Sequence, residues 1–238
     1  MKLIISCGQC DFLTSSKVEF TDDGIYNLTC EKGHETVVFM QEQQFELLFE
    51  MGIMALFDGY PREAVSSLAA SAERFHEFCV RMILAKNEID GHQVEKGWKL
   101  LSKQSERQLG AFYFLYLSEF KVTPPIIKNN WVEFRNNVIH KGHFPKEEKV
   151  IEYAKYLFKY MIETLKVFRE QCWDGYGTVV TRNQEYYHSK SSFEKGHKSG
   201  ISIPTMFNLT SSDDLFGKES FENELSRLKA KINRVYSK

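Results

Sequence analysis

The stretch "PREAVSSLAASAERFHEFCVRMILAKNEI", residues 61–89, decides the fold class. Ala64, Val65, Leu68, Ala72, Phe75, Cys79, Met82 and Ile83 recur at three- and four-residue steps, so one broad apolar face runs along a long helix. Pro61 suits the first helical turn, where its missing N–H costs nothing. The small residues in the middle allow a second helix to approach closely. Glu73 interrupts the apolar run, either as a surface or capping charge or as a group with a task.

Helical periodicity extends on both sides. "QEQQFELLFEMGIMALFDG" spaces Phe45, Leu48, Phe49, Ile53, Leu56 and Phe57 as a helix and stops at Gly59. A shorter helix is predicted over 92–102. "SERQLGAFYFLYLSEF" is apolar almost all round and is expected to be buried. "KVTPPI" then breaks the chain, because the residue before a proline avoids helical geometry. "WVEFRNNVIHKGHFP", residues 131–145, resumes as a helix ending near Gly142, and Pro145 opens a last long one. Five or more helices with short links describe a mainly α bundle over 41–172.

With 31 basic and 32 acidic residues the formal charge is −1, so overall charge gives no argument for nucleic-acid binding and a local patch would have to supply it. The N-terminal stretch lacks the apolar core of a signal peptide, and no apolar run nears the ~20 residues of a membrane span. The expectation is a soluble, cytoplasmic protein with no membrane partner. Of five cysteines, Cys7, Cys10 and Cys30 cluster near the start, whereas Cys79 reads as a buried small hydrophobe and Cys172 carries no assigned role.

Within residues 1–40, "CGQC" at 7–10 and "CEKGH" at 30–34 offer two close pairs of soft or borderline ligands. A tetrahedral zinc site needs that arrangement, and a segment this small lacks the core to fold securely alone. "KVEF", "TDDG" and "IYNLT" read as strand, turn and strand, with "ETVVFM" a third strand. The segment resembles a zinc ribbon with Cys7, Cys10, Cys30 and His34 as ligands, His34 standing where a fourth cysteine is usual. Four protein ligands leave no open position, which makes the expected zinc structural. A small reduced hairpin is the plainer alternative. Nucleic acid, a partner protein and the neighbouring domain all stay open as what the ribbon contacts.

Arg135, Asn136 and His140 lie in "RNNVIH", near the end of the penultimate long helix of the bundle. This arrangement resembles the HEPN superfamily (higher eukaryotes and prokaryotes nucleotide-binding), whose signature is Arg, a polar residue, a short gap and His. "YPREAVSSLAASAERF" is similar to the family's first long helix, which would make Glu73 its catalytic-face glutamate. The resemblance covers about 41–172 and implies an endoribonuclease that needs no metal for catalysis, acting as a toxin or in defence against phage. It also implies a cleft shared by a homodimer. The residue types suit that chemistry: His140 for proton transfer, Arg135 for phosphate charge and Asn136 for positioning, with Lys141 and His143 as secondary substrate contacts. On an ideal helix Arg135 and His140 stand roughly 140° apart, so one copy is not expected to converge easily on one phosphate. A loosened helix end at Lys141–Gly142 or a second copy would relieve this.

Residues 173–238 mix aromatic and basic types. "GTVVT" begins an irregular extension or hairpin, and Tyr176, Tyr186, Tyr187 and Phe193 interleave with Arg182, Lys190, Lys195 and Lys198. That pattern suits single-stranded RNA, though a loop packed on the bundle also explains it. Phe221, Leu225, Leu228, Ile232 and Val235 then mark an amphipathic helix that either docks on the bundle or pairs with a copy. Against the RNA-cleaving enzyme stands a non-catalytic module that binds nucleotide or RNA, or a scaffold in a defence complex, with an antitoxin or complex component as a further candidate partner.

Overall fold

A computed structural model describes residues 2–10, 15–19, 21, 24–190, 197–212 and 215–236. The chain is mainly helical with a small β region, and its contacts group it into two compact units. One holds Met1–Glu42 and Gly177–Ile203; the other holds Gln43–Tyr176 and Pro204–Lys238. Among the described residues no helix is long and apolar enough to cross a membrane.

The first unit carries two small sheets. Strands β1 (Lys2–Ser6) and β2 (Ser15–Glu19) pair antiparallel, with Leu3 opposite Val18. Strand β3 (Ile25–Thr29) pairs antiparallel with β4 (Glu35–Met40), and β4 pairs in parallel with β5 (His197–Ile201). The expected β2–β3 hairpin is therefore corrected. The chain does turn at Thr21–Gly24, where the Gly24 N–H donates to the Thr21 carbonyl (3.2 Å), but each strand pairs elsewhere. The turn marks a change of direction; which strand becomes the partner is set by the apolar faces. Ile25 lies opposite Phe39, with Val37 two residues along on the same face, and the three form a buried cluster.

In the second unit α1 (Gln44–Phe57) and α2 (Pro61–Lys86) form a helical hairpin. Gln43 caps α1, its N–H donating to Glu46 Oε1 at 2.9 Å. Phe45, Phe49, Phe75 and Phe158 form the aromatic centre with Phe207, whose ring centroid lies 5.2, 5.0 and 5.4 Å from those of Phe45, Phe49 and Phe158. Helices α3 (Gly91–Leu101), α4 (Ser105–Phe120), α5 (Asn129–Ile139) and α6 (Glu147–Gln171) follow. Helix α4 is not buried all round. Gln108, Phe112, Tyr116 and Phe120 face inward, while Phe114 is 76% exposed. Apolar content reports what a helix offers, whereas burial depends on how many neighbours accept it.

A second correction concerns 173–190. The region beginning "GTVVT" is helix α7 (Trp173–Lys190), not a hairpin or irregular chain. Its first turn is held where Trp173 stacks on Tyr176 at 4.4 Å and Arg169 lies 4.4 Å over the Trp173 ring. A helical turn fixed by packing supplies the costly nucleus, and the β-branched run then propagates it against its own preference. Phe193 and Lys195 lie outside the described residues.

Residues 204–209 are equally ordered. Thr205 Oγ1 donates to Glu46 Oε2 (2.6 Å), the Met206 N–H donates to Glu50 Oε1 (3.0 Å), and Met206, Phe207 and Leu209 are buried. Helix α8 (Phe221–Tyr236) docks on the bundle, its Phe221 ring 5.7 Å from Phe158, with Leu228 buried. Arg227 and Lys231 of α8 donate to the Thr205 and Pro204 carbonyls at 2.6 and 3.0 Å. Burial pushes the Glu224 carboxyl up to about 7, with Arg227 opposing and Glu219 and Glu50 adding.

Two tests follow from this packing. A Cβ on Gly175 would sit 2.3 Å from the Met82 carbonyl oxygen, so Gly175→Ala must shift backbone and should cost about 1–3 kcal/mol in urea unfolding. His76 is fully buried, stacks on Phe112 at 4.9 Å and meets the Tyr160 hydroxyl at 2.8 Å. Burial drives its pKa from 6.5 to about 3. Within that window the unfolded chain binds a proton that the folded chain does not, so this contribution to stability is present above 6.5 and is lost as pH falls. Comparing unfolding at about pH 7 and about pH 5, His76→Gln should lose less stability on acidification than the wild-type protein.

Candidate functional sites

Helix α5 starts where the Pro124–Pro125 break ends. The Tyr156 hydroxyl accepts from the Lys128 N–H at 2.9 Å and donates to the Ile126 carbonyl at 3.3 Å, fixing the entry. Trp131, Phe134 and Val138 share one helical face, and the rings of Trp131 and Phe134 lie 5.6 and 5.4 Å from Tyr153 of α6. That leaves Arg135, Asn136 and Asn137 half-buried and His140 exposed. The helix ends where the His140 N–H donates to the Asn136 carbonyl (2.9 Å) and the His143 N–H to the Asn137 carbonyl (3.1 Å). Gly142 between them has φ +70°, the left-handed turn that a glycine adopts without strain.

Arg135 is the hub of the polar cluster. Its Nη2 donates to Glu73 Oε1 at 2.9 Å, and its Nη1 donates to Asn136 Oδ1 at 2.9 Å and lies 3.1 Å from His140 Nε2. The two charged side chains keep 25% and 34% of their surface exposed, so solvent still screens the pair in part. A guanidinium has no acceptor, so the His140 contact is a hydrogen bond when Nε2 presents its lone pair and Nδ1 carries the hydrogen. One copy of the chain thus joins Arg135 and His140 despite their angular separation. His140 keeps near-helical backbone angles (φ −94°, ψ −29°), so the length of the arginine side chain closes the gap rather than an unwound helix end. Lys141 and His143 are exposed and stand outside this cluster.

Sequence reasoning missed Tyr153. It is buried against α5, and burial pushes its phenol well above the ordinary range, Arg135 opposing and Glu73 adding. The phenol therefore stays protonated, with a hydrogen to donate towards an anion and an oxygen that can still accept. Its signal was faint: a polar-tipped ring, one of three tyrosines at positions 153, 156 and 160 of one helix.

The second cluster gathers Cys7, Cys10, Cys30 and His34, whose ligand atoms all lie within 4.8 Å of one another. A short 3-10 turn (Gly8–Cys10) presents the first pair, the Cys10 N–H donating to the Cys7 carbonyl at 3.2 Å. A turn closed by the Cys30 N–H to the His34 carbonyl (3.1 Å) presents the second. Cys10 Sγ and Cys30 Sγ are 3.7 Å apart, far beyond a disulfide's ~2.05 Å and close to the ~3.7 Å between two thiolates on one tetrahedral ion. His34 Nδ1 lies 3.1 Å from Cys10 Sγ and 3.8 Å from Cys7 Sγ. The four residues can hold a metal ion. In the stretch that mixes aromatic and basic residues, Tyr176 packs on Trp173 and on Phe78 (6.2 Å), whereas Tyr186 is exposed.

The Arg135 contact is open to direct measurement. Long-range nitrogen–proton NMR should find the neutral His140 ring carrying its hydrogen on Nδ1, and Arg135→Ala should release it to the Nε2–H form. An unchanged ring in the variant would mean that Arg135 does not set the tautomer. Compared with protein-family models, with curated proteins and with solved structures, the chain gave no match.

Proposed function

We propose that the helical unit is a metal-independent endoribonuclease of the HEPN type, active as a homodimer. On this reading it cuts cellular RNA in the cytoplasm as a toxin or anti-phage effector, alone or under an antitoxin or complex partner. The observation that carries it is the convergence of Glu73, Asn136 and His140 on Arg135. In the reaction Arg135 Nη1 turns from His140 to the phosphate, which frees the Nε2 lone pair of a neutral His140 to take the proton from an RNA 2′-OH. The 2′ oxygen bonds to the adjacent phosphorus, and the bond to the 5′ oxygen breaks as that oxygen receives a proton. The products are a 2′,3′-cyclic phosphate and a 5′-OH. Arg135 stabilises the charge on the phosphoryl oxygens and Glu73 holds its guanidinium in place. A single imidazole cannot take one proton and deliver another in the same step, so His140 of a second copy is the natural acid.

Cys7, Cys10, Cys30 and His34 are proposed to hold a structural zinc. The set fits on its donor chemistry and spacing, and four protein ligands leave no place for substrate.

One observation favours a non-catalytic RNA- or nucleotide-binding module, or a scaffold: Arg135 is already engaged by three side chains, as an arginine that only braces α5 against α2 would be. Cleavage of a broad RNA panel in EDTA separates the readings, with zinc content followed in the same samples by native mass spectrometry. The enzyme reading expects one zinc per chain, cutting that persists in chelator, and losses of about 10²–10⁴-fold in His140→Ala and Arg135→Ala. A dimeric, zinc-loaded protein that cuts nothing puts the binding module ahead. Cutting that stops in EDTA with zinc retained would point to a metal-dependent site instead.

A further inference from the structure

The loop after His140 carries the most exposed large apolar side chain of the described residues. Phe144 is 87% exposed, four residues beyond His140. An isolated exposed apolar residue is ordinary, but this one is held out by a fixed backbone. On one side Gly142 turns with φ +70° and the His143 N–H is bound to the Asn137 carbonyl at 3.1 Å. On the other, Pro145 is half-buried and Lys146 caps α6 in an extended conformation (φ −74°, ψ 146°). The ring is thus carried between two packed helices, and four residues of chain put its Cα within about 14 Å of that of His140. Lys141, His143 and Lys146 are its exposed basic neighbours, while Glu147 and Glu148 begin α6 on the far side. An anionic chain crossing Arg135 and His140 therefore has exposed basic side chains and an exposed ring within a few residues of His140.

We propose that Phe144 is a stacking platform for one nucleobase of a single-stranded RNA lying across Arg135 and His140. The proposal rests on RNA being the substrate of that cluster. Every base has a π-face, so such a ring tolerates any sequence while requiring an unpaired base. It also places the substrate: a base held on the ring limits which phosphates of the strand can reach Arg135.

The test uses full-length His140→Ala protein and a short single-stranded oligoribonucleotide carrying 2-aminopurine, whose fluorescence falls on stacking. Binding should quench the probe saturably. Adding Phe144→Ala should abolish the quenching and weaken binding about 5- to 100-fold, and Phe144→Trp should restore both. Phe144→Leu decides between stacking and simple apolar contact, because it keeps bulk and loses the ring. If the Leu variant matches Phe144, or if Ala changes the mass in light scattering while quenching survives, the residue is a contact between copies and the proposal falls. Absence of binding by the Phe144 protein overturns it as well. Cutting is read separately with His140 in place. Ring-dependent quenching without cutting sinks the nuclease reading alone; His140-dependent cutting with indifferent Phe144 variants sinks only the stacking.

Discussion

The contact between Arg135 and Glu73 joins two helices through groups that differ in what they can do. The guanidinium only donates and the carboxylate only accepts, so their meeting fixes the direction of the remaining bonds. Once Nη2 is committed to Glu73, Nη1 is the edge facing Asn136 and His140, and both must turn an acceptor to it. The edge of the guanidinium that meets the imidazole is thus set by a residue on another helix, sixty-two positions before Arg135. The pair itself is only partly shielded, so its worth lies in orientation more than in stability. What holds α5 in place is apolar: Trp131 and Phe134 against the ring of Tyr153.

The helical body was legible because periodicity is a local property. The residues that repeat along α2 also point the same way, and Gly59, Pro61 and Gly142 punctuate the chain where helices stop or start. The cluster of three cysteines and His34 was legible for a similar reason, since two short loops carry its members in close pairs. The Arg135–His140 contact was not. Angular bookkeeping treats side chains as points on a cylinder, and an arginine is long enough to reach around it. Nor did the sequence announce that β2 pairs with β1 or that "GTVVT" is helical, because the deciding partners lie outside the segments. Residues 204–209 illustrate the same limit: a short stretch with no period supplies Phe207 to the centre of the aromatic core.

That short stretch is held by unlike means on its two sides. Glu46 and Glu50 of α1 receive its hydroxyl and amide hydrogens, while Arg227 and Lys231 of α8 cover its carbonyls. Backbone groups that lack a regular partner are thereby satisfied by side chains, which is what lets an irregular segment lie inside a helical unit. Burying the carboxylates costs free energy, visible in Glu50 and Glu224 both being pushed upward. The aromatic contacts of Phe207 offset that cost.

Strand β5 pairs with β4 in parallel, yet Met40 and His197 are separated in sequence by nearly all of the helical unit. On a ribosome the chain appears from its N-terminus, so β3 and β4 can meet early, and two cysteine-bearing loops can trap an ion while the helices are still unmade. The sheet gains its third strand only after more than 150 further residues have emerged. Until then β4 presents a row of unpaired amides and carbonyls, the kind of edge that invites another strand. Protection of a nascent β-edge thus waits for β5, and the interval is set by how fast the intervening helices are made.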